Sequence, residues 1–298
     1  MTNQTKPRFL MCPPDHFAVT YAINPWMDPP SWARDDRALA SEAREEWTAL
    51  HRVLSDLGAA IEVVPPAPDL PDLVFTANSA VVLDGTALLA RFRHPERGRE
   101  EPHFALAFRA LEARGLIDAV RTLPDGVVLE GAGDCVWDEA RNLFWMGYGP
   151  RSDRAAARVV EATFGAEVVP LELADPRFYH IDTALSPLPG GELVHVPGAF
   201  TAAGRAAIAQ RTAAHERIVV TAADGQRLAA NSVAVGRTLV TPGCSDELRS
   251  ILEKRGYRVM VVPLAAFLRS GGAAFCLTLR LDRHSAARSG DVTAAAVA

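Results

Sequence analysis

Few side chains can attack a carbon, move a proton or hold a cation, and in this sequence several recur at one place in successive segments. Asp72 and Asn78 stand in PDLVFTANSAVV, Glu130 and Asp134 in LEGAGD, His180 and Asp182 in RFYHIDTALSPL, Asn231 at the head of NSVAVGRTLVTPG, and Cys276 in GGAAFCLTLRL. Each has an ordinary reading alone. Cys276 passes for a small buried hydrophobe, His180 for a satisfied interior histidine, Glu130 for a carboxylate at a turn, and Asp134 for a partner of turn amides. Carboxylate, carboxylate, imidazole, amide and thiol in the same phase build a poor core and a good site. A thiol beside an imidazole and acidic groups suits covalent catalysis by a thiolate. The acidic groups repel carboxylates and phosphate esters. They favour a planar cation with several N–H donors, which carboxylates receive in pairs. A guanidinium fits best: delocalised charge protects its carbon from water, and holding the cation keeps that carbon electrophilic when the thiolate arrives.

Positioning such residues requires a repeating unit. Four segments read as paired short strands: 74–91, turning at Asp84-Gly85; 133–149; 182–198, turning at Pro189-Gly190-Gly191; and 231–243, turning near Gly236-Arg237. Helical periodicity follows each pair, at roughly 100–114, 151–164, 201–214 and 245–255. A brief strand follows each helix: AVRTLP, AEVVPL, RIVVTA and RVMVVPL. The chain ends supply a fifth unit if strand-like 274–282 and 8–14 pair, followed by a helix at about 34–57 and the strand IEVVPP. Such pairing hides the sheet edges that a linear array would expose. The expected fold is therefore α/β, a five-bladed propeller of strand–strand–helix–strand modules, forming one domain over 1–298. The alternative is an ordinary doubly wound α/β sheet, which does not call for a hairpin in every repeat.

Composition narrows the chemistry further. With 49% hydrophobic and 22% charged residues, the 298-residue chain can bury a sizeable core. A formal net charge of −5 argues against a nucleic-acid partner. No apolar run is long enough to span a membrane, and MTNQTKPRFLMCPPDHF carries no secretory pattern, so the expected location is cytoplasmic. Four cysteines without CxxC, HExxH or a Cys/His cluster speak against zinc and against a disulfide scaffold; Cys12, Cys135 and Cys244 read as structural. Only Lys6 and Lys254 are lysines, and neither sits in a setting for Schiff-base chemistry. Neither a GK[ST] nor a GxGxxG motif occurs.

Taken together, MCPPDHFAVTYAINPWM, PDLVFTANSAVV, LEGAGD, RFYHIDTALSPL and GGAAFCLTLRL resemble the guanidino-group-modifying enzymes of the pentein fold over nearly the whole chain. That family includes arginine deiminases, dimethylarginine dimethylaminohydrolases, amidinotransferases and arginine dihydrolases. The resemblance implies that Cys276 is the nucleophile, forming a thiouronium-type intermediate. It implies that His180 protonates the departing amine and then deprotonates water, and that Glu130 holds the guanidinium and positions His180. Asp72 would bind a guanidinium nitrogen or the substrate's far end. Arg91 and Arg151 would clamp the α-carboxylate, with Arg93 competing for the place of Arg91. Phe75, Asn78, Asp134 and Asn231 would complete the binding surface. No metal or organic cofactor is implied; the partner is a guanidino small molecule, and a homo-oligomer stays open.

Asn78 stands where deiminases and dimethylargininases usually carry aspartate, and Ala77 where an acidic residue or arginine often precedes it. With INPWM and GGAAxCLTLR, this looks most like the dihydrolase branch, which converts arginine to ornithine, ammonia and carbon dioxide. An amide can donate to and accept from the neutral urea of citrulline, keeping it for a second attack. The rivals are a dimethylarginine dimethylaminohydrolase, a deiminase, an amidinotransferase, and, in another class, a non-catalytic pentein binding protein like the ribosome-associated translation factor of this architecture.

Overall fold

Asp84 and Gly85 both adopt positive φ, 52° and 73°, and the strands on either side of them pair antiparallel, as the Asp-Gly turn predicts. A computed structural model describes residues 6–288. The ends of the expected 1–298 domain, residues 1–5 and 289–298, lie outside the described residues, as does the start of the segment read for a secretory pattern.

The chain begins with β1 (Arg8–Met11), the helix Asp36–Asp56, and β2 (Ala60–Val63) parallel to β1. The next unit holds β3 (Ala80–Leu83), β4 (Thr86–Leu89), the helix Glu100–Ala113, and β5 (Ala119–Arg121) parallel to β4. The same order recurs in β6 (Cys135–Asp138), β7 (Leu143–Tyr148), the helix Ala156–Phe164 and β8 (Glu167–Glu172). It recurs again in β9 (Leu185–Pro187), β10 (Leu193–His195), the helix Ala202–Arg211 and β11 (Arg217–Val219). The fourth repeat holds β12 (Val233–Val235), β13 (Thr238–Thr241), the helix Asp246–Lys254 and β14 (Arg258–Val261). Finally β15 (Leu279–Arg280) pairs antiparallel with β1, so the first and last described strands share one sheet of order β15-β1-β2. Five separate three-stranded sheets result, in place of the continuous sheet of the doubly wound alternative.

Side-chain alternation explains how neighbouring sheets hold together. Ala80 and Val82 join a core containing Leu10 and Leu279, while Val81 and Leu83 join one containing Cys135 and Trp137. Likewise Phe9 and Met11 pack in the cluster of Val233 and Val235, whereas Leu10 packs with Ala80. β3 and β1 are thus apolar on both faces because a different neighbour covers each face. The helices bury one stripe each; in Asp36–Asp56 it comprises Leu39, Ala43, Leu50 and Leu54.

The expected strands begin too early. Residues Thr76–Ser79 and Ile181–Thr183 form 3-10 turns, and Gly131–Asp134 forms one α-helical turn. In the expected strand 274–282, only Leu279–Arg280 is extended, after a turn closed by Leu277 N–H on the Ala273 carbonyl. The cause is polar satisfaction: Asn231 Oδ1 accepts from the Ala273, Phe275 and Cys276 amides, and Asp134 Oδ1 accepts from the Ile181 amide. The second helix-like stretch starts at Ala156, because Asp153 is spent on Val128 N–H and Arg93.

Candidate active site

The turns that displace the expected strands carry the candidate residues. Each precedes the first strand of a module, so one residue set from each module is delivered to a similar place. Gly131 is required there: it has φ +60°, and a Cβ on it would lie 2.6 Å from the Asn78 carbonyl carbon. This close approach presses the Glu130 turn against the Asn78 turn.

Glu130 is fully buried. Its Oε2 accepts from Arg151 Nη1 at 2.9 Å and meets His180 Nε2 at 2.7 Å, and its Oε1 accepts from the Arg93 amide at 3.1 Å. Burial alone would raise its pKa, but the Arg151 charge and the His180 hydrogen bond hold it below the carboxylate range. Burial pushes His180 down, against the pull of Glu130. A neutral ring donating Nε2–H to Glu130 leaves a lone pair on Nδ1, and that atom is buried with no partner.

Asp182 follows two residues after His180. Its Oδ2 accepts the Cys276 thiol at 3.1 Å, and Cys276 Sγ accepts from Asn231 Nδ2 at 3.1 Å. Burial and then the Asp182 charge push the Cys276 pKa well up, so a neutral thiol is the resting form. Burial lifts Asp182 to about 7, opposed chiefly by the thiol hydrogen bond. Its other oxygen, Oδ1, is buried without a partner. The turn 180–183 therefore links an imidazole anchored by Glu130 to a carboxylate facing the sulfur. None of Cys12, Cys135 or Cys244 shares the partners of Cys276; among the described residues all four cysteines are free.

On the far side, Asp72 accepts from Tyr21 O–H at 2.8 Å and Ser270 O–H at 3.3 Å. Burial raises its pKa and the Arg97 charge opposes the rise. Asn78 Oδ1 accepts from Arg97 Nη1 at 2.8 Å, whereas Asn78 Nδ2 is buried and unpartnered. A Cβ on Gly133 would lie 2.1 Å from Asn78 Nδ2 and 3.3 Å from His180 Nδ1, so the bare glycine leaves these two atoms bordering one space. Phe75 belongs to an aromatic cluster with Phe17 and Phe267, and its ring lies where a Cβ on Gly272 would sit, under the loop leading to Cys276.

Several expectations need correction. Arg91 donates to the carbonyls of Leu123, Pro124 and Val127 and faces Asp125, so it is not aimed at the site. Arg151 is buried, but it is spent on Glu130 and the Ile23 carbonyl, with its guanidinium 4.6 Å from the Tyr179 ring centre. Neither is free to clamp a carboxylate. Arg93 is engaged by the Arg151 carbonyl and Asp153. Asp134 has both oxygens occupied, by Ser152 and the Ile181 amide, so it ties the Glu130 and His180 turns together. Asn231 shapes the loop that carries Cys276.

Asp182 shows the right repeat phase, but nothing in the sequence gives it a role apart from its neighbours. Arg97 escapes sequence reasoning altogether. It is fully buried, gripping Glu100 through two nitrogens at 2.8 Å, with its guanidinium 4.4 Å from the Phe92 ring centre. In HPERGREE it reads as a solvated helix charge, and nothing in the sequence marks its burial. Tyr21 and Ile23 lie in a loop that reaches Asp72 and Arg151, and the sequence shows them only as part of a motif.

The chain is similar to several known proteins. Bifunctional arginine dihydrolase/ornithine cyclodeaminase AgrE of Nostoc sp. is 40% identical over 274 residues, covering 92% of this chain and 38% of that protein. The chain thus spans under two fifths of that relative's length. N(G),N(G)-dimethylarginine dimethylaminohydrolase of Mycobacterium tuberculosis is 35% identical over 274 residues, covering 92% of this chain and 85% of that one. The crystal structure of the N-terminal domain of ArgZ, an arginine dihydrolase from the ornithine-ammonia cycle in cyanobacteria, superposes with TM-score 0.87 at 39% identity, covering 94% of this chain and 99% of that one. A family model matches residues 14–283, and the chain belongs to that family, described as N,N dimethylarginine dimethylhydrolase, eukaryotic.

Proposed function

We propose that this chain is a cysteine-dependent hydrolase acting on the guanidino group of arginine, and that it carries the reaction through two hydrolyses to ornithine, two ammonia and carbon dioxide. The observation that carries this reading is a set of three buried polar atoms without partners: Asn78 Nδ2, His180 Nδ1 and Asp182 Oδ1. Each belongs to a residue beside the candidate nucleophile or beside Glu130. Unpaired buried groups cost about 1–3 kcal/mol each, so their gathering around the turn that joins Glu130 to Cys276 supports a place built to receive a ligand.

In the proposed sequence Asp182 takes the Cys276 proton, and the sulfur forms a bond to the guanidinium carbon. The proton passes from Asp182 to one terminal nitrogen, its C–N bond breaks, and ammonia leaves a cationic thiouronium on the sulfur. His180 Nδ1 then takes a proton from water as the oxygen adds to that carbon, and Glu130 stabilises the imidazolium. Breaking the C–S bond releases citrulline, the hydroxyl proton of the adduct returns to the sulfur through Asp182 to restore the thiol, and the proton on His180 leaves to solvent. His180 serves the water step, and Asp182 in place of the expected His180 supplies the first amine's proton, because the thiol meets Asp182 and His180 rests neutral.

The second hydrolysis finds support in Asn78. Arg97 occupies its oxygen, so the amide offers its N–H alone. That donor suits the carbonyl of citrulline and offers nothing to a guanidinium, which has only donors itself. This narrows the idea that the amide both donates and accepts. The AgrE and ArgZ relatives support the dihydrolase reading. The family description and the Mycobacterium tuberculosis relative favour a second reading, release of dimethylamine from dimethylarginine. The five modules form one catalytic domain in this proposal. Its closure into a five-bladed propeller is supported by the β1–β15 pairing and by cores shared between successive sheets.

Mass analysis of products from arginine, citrulline and dimethylarginine tests the function. Ornithine from both arginine and citrulline is expected. Accumulation of citrulline from arginine, with citrulline inert, would reduce the reading to a single hydrolysis; dimethylamine release as the main activity would replace it with the second reading.

A further inference from the structure

Two small adjoining cavities lie where the first strands of all five sheets meet: β3, β6, β9, β12 and β15 each supply part of their walls. Both cavities share Trp137, Phe275, Arg280 and Arg283, and no carboxylate lines either one. Phe275 precedes Cys276, yet none of the three unpartnered atoms around Cys276 and Glu130 belongs to a residue of these walls.

The charge here is uneven. Arg280 is gripped by Asp282 at 2.5 and 3.1 Å. Arg283 donates one hydrogen bond, at 3.1 Å, to Glu139, whose own side chain is 65% exposed. Its remaining N–H groups have no acceptor among the described residues. Arg283 is 23% exposed; burial of the rest and then the neighbouring Arg280 charge hold its pKa down, against the pull of Glu139 and Asp282. Independently, the Trp137 indole N–H is buried without an acceptor. A buried donor and an under-compensated arginine on the same walls call for an acceptor that carries negative charge.

We propose that this meeting point of the five sheets is a second binding site, for a small oxyanion of phosphate size, held by the Arg283 guanidinium with Trp137 N–H and Arg280 beside it. A phosphate or sulfate offers acceptors in several directions, and an arginine fork matches two of its oxygens. The narrow space favours the free ion over a large phosphate ester.

Melting temperature of the full chain, titrated with inorganic phosphate against chloride at matched ionic strength, tests the site, because a ligand that binds only the folded state raises the transition. Phosphate is expected to stabilise where chloride does not. Arg283→Gln is expected to weaken the apparent affinity about tenfold or more. Trp137→Phe, which keeps a ring and deletes the N–H, is expected to weaken it several-fold, and decides the matter if Arg283→Gln does not fold. Glycerol phosphate in the same titration separates the free ion from the phosphoryl end of a metabolite; binding of either through Arg283 upholds the site. No phosphate-specific shift, or a shift unchanged in these variants, overturns it.

Discussion

Glu130 and Asp182 are both fully buried carboxylates that flank one histidine turn, yet their electrostatic states differ. Burial would protonate both. Glu130 escapes because Arg151 and His180 surround one of its oxygens, at 2.9 and 2.7 Å. Asp182 has only neutral partners, the Cys276 thiol and amide groups, and its pKa rises to about 7. One carboxylate is therefore a fixed charge that orients the imidazole, and the other can gain and lose a proton near neutral pH. Environments that push two titratable groups apart in this way separate the anchoring role from the proton-transfer role.

Removing the anchor is expected to have the larger effect. Glu130→Gln leaves the Arg151 charge buried without its counter-ion and frees the His180 ring. A stability loss of about 3–5 kcal/mol is expected, readable as a lower denaturant midpoint. Turnover should fall about a thousandfold in the protein that remains folded. A variant with unchanged stability would mean that Arg151 does not depend on Glu130.

Asp182→Asn touches the other member. The thiol loses its proton acceptor, and kcat is expected to drop about a hundredfold with far less effect on stability. The pH profile sharpens the comparison. In the proposed sequence ionised Asp182 accepts the proton, so kcat/KM of the parent enzyme should rise as pH passes about 7 and then level. The asparagine variant should lack that limb. Stability moves in the opposite sense: the pKa of Asp182 is raised on folding from 3.8 to about 7, so its folded form binds the proton more tightly. Its contribution is present at low pH and is lost as pH climbs through that window; Asp182→Asn should flatten this part of the stability curve.

Much of this arrangement is legible in the sequence because the repeat is simple. Turn chemistry at Asp84-Gly85 and alternating apolar strands specify the hairpins, and apolar stripes such as Leu39, Ala43, Leu50 and Leu54 specify the helices. Repeat phase brings Glu130, His180, Asn231 and Cys276 to one place. Pairing is not legible. Arg91 and Arg97 are six residues apart in one polar stretch, and only tertiary packing turns the first toward the carbonyls at 123–127 and buries the second against Glu100 and Asn78. The same holds for Arg151, whose partner Glu130 lies 21 residues away. The entry turns are hidden too, since their anchors lie in other modules: Thr76 O–H donates to the Leu10 and Leu277 carbonyls, Ala77 N–H to the Cys276 carbonyl, and Asp134 accepts from the Ile181 amide.

The proposed chemistry rests on sulfur attacking carbon. Acid quenching of the protein during turnover of arginine, with intact mass and peptide mapping of the quenched chain, tests this directly. The predicted result is a mass gain equal to arginine less one ammonia, located on Cys276 and absent from Cys276→Ala, which is inactive. Adducts on Cys12, Cys135 or Cys244 instead, or full turnover by Cys276→Ala, would contradict it.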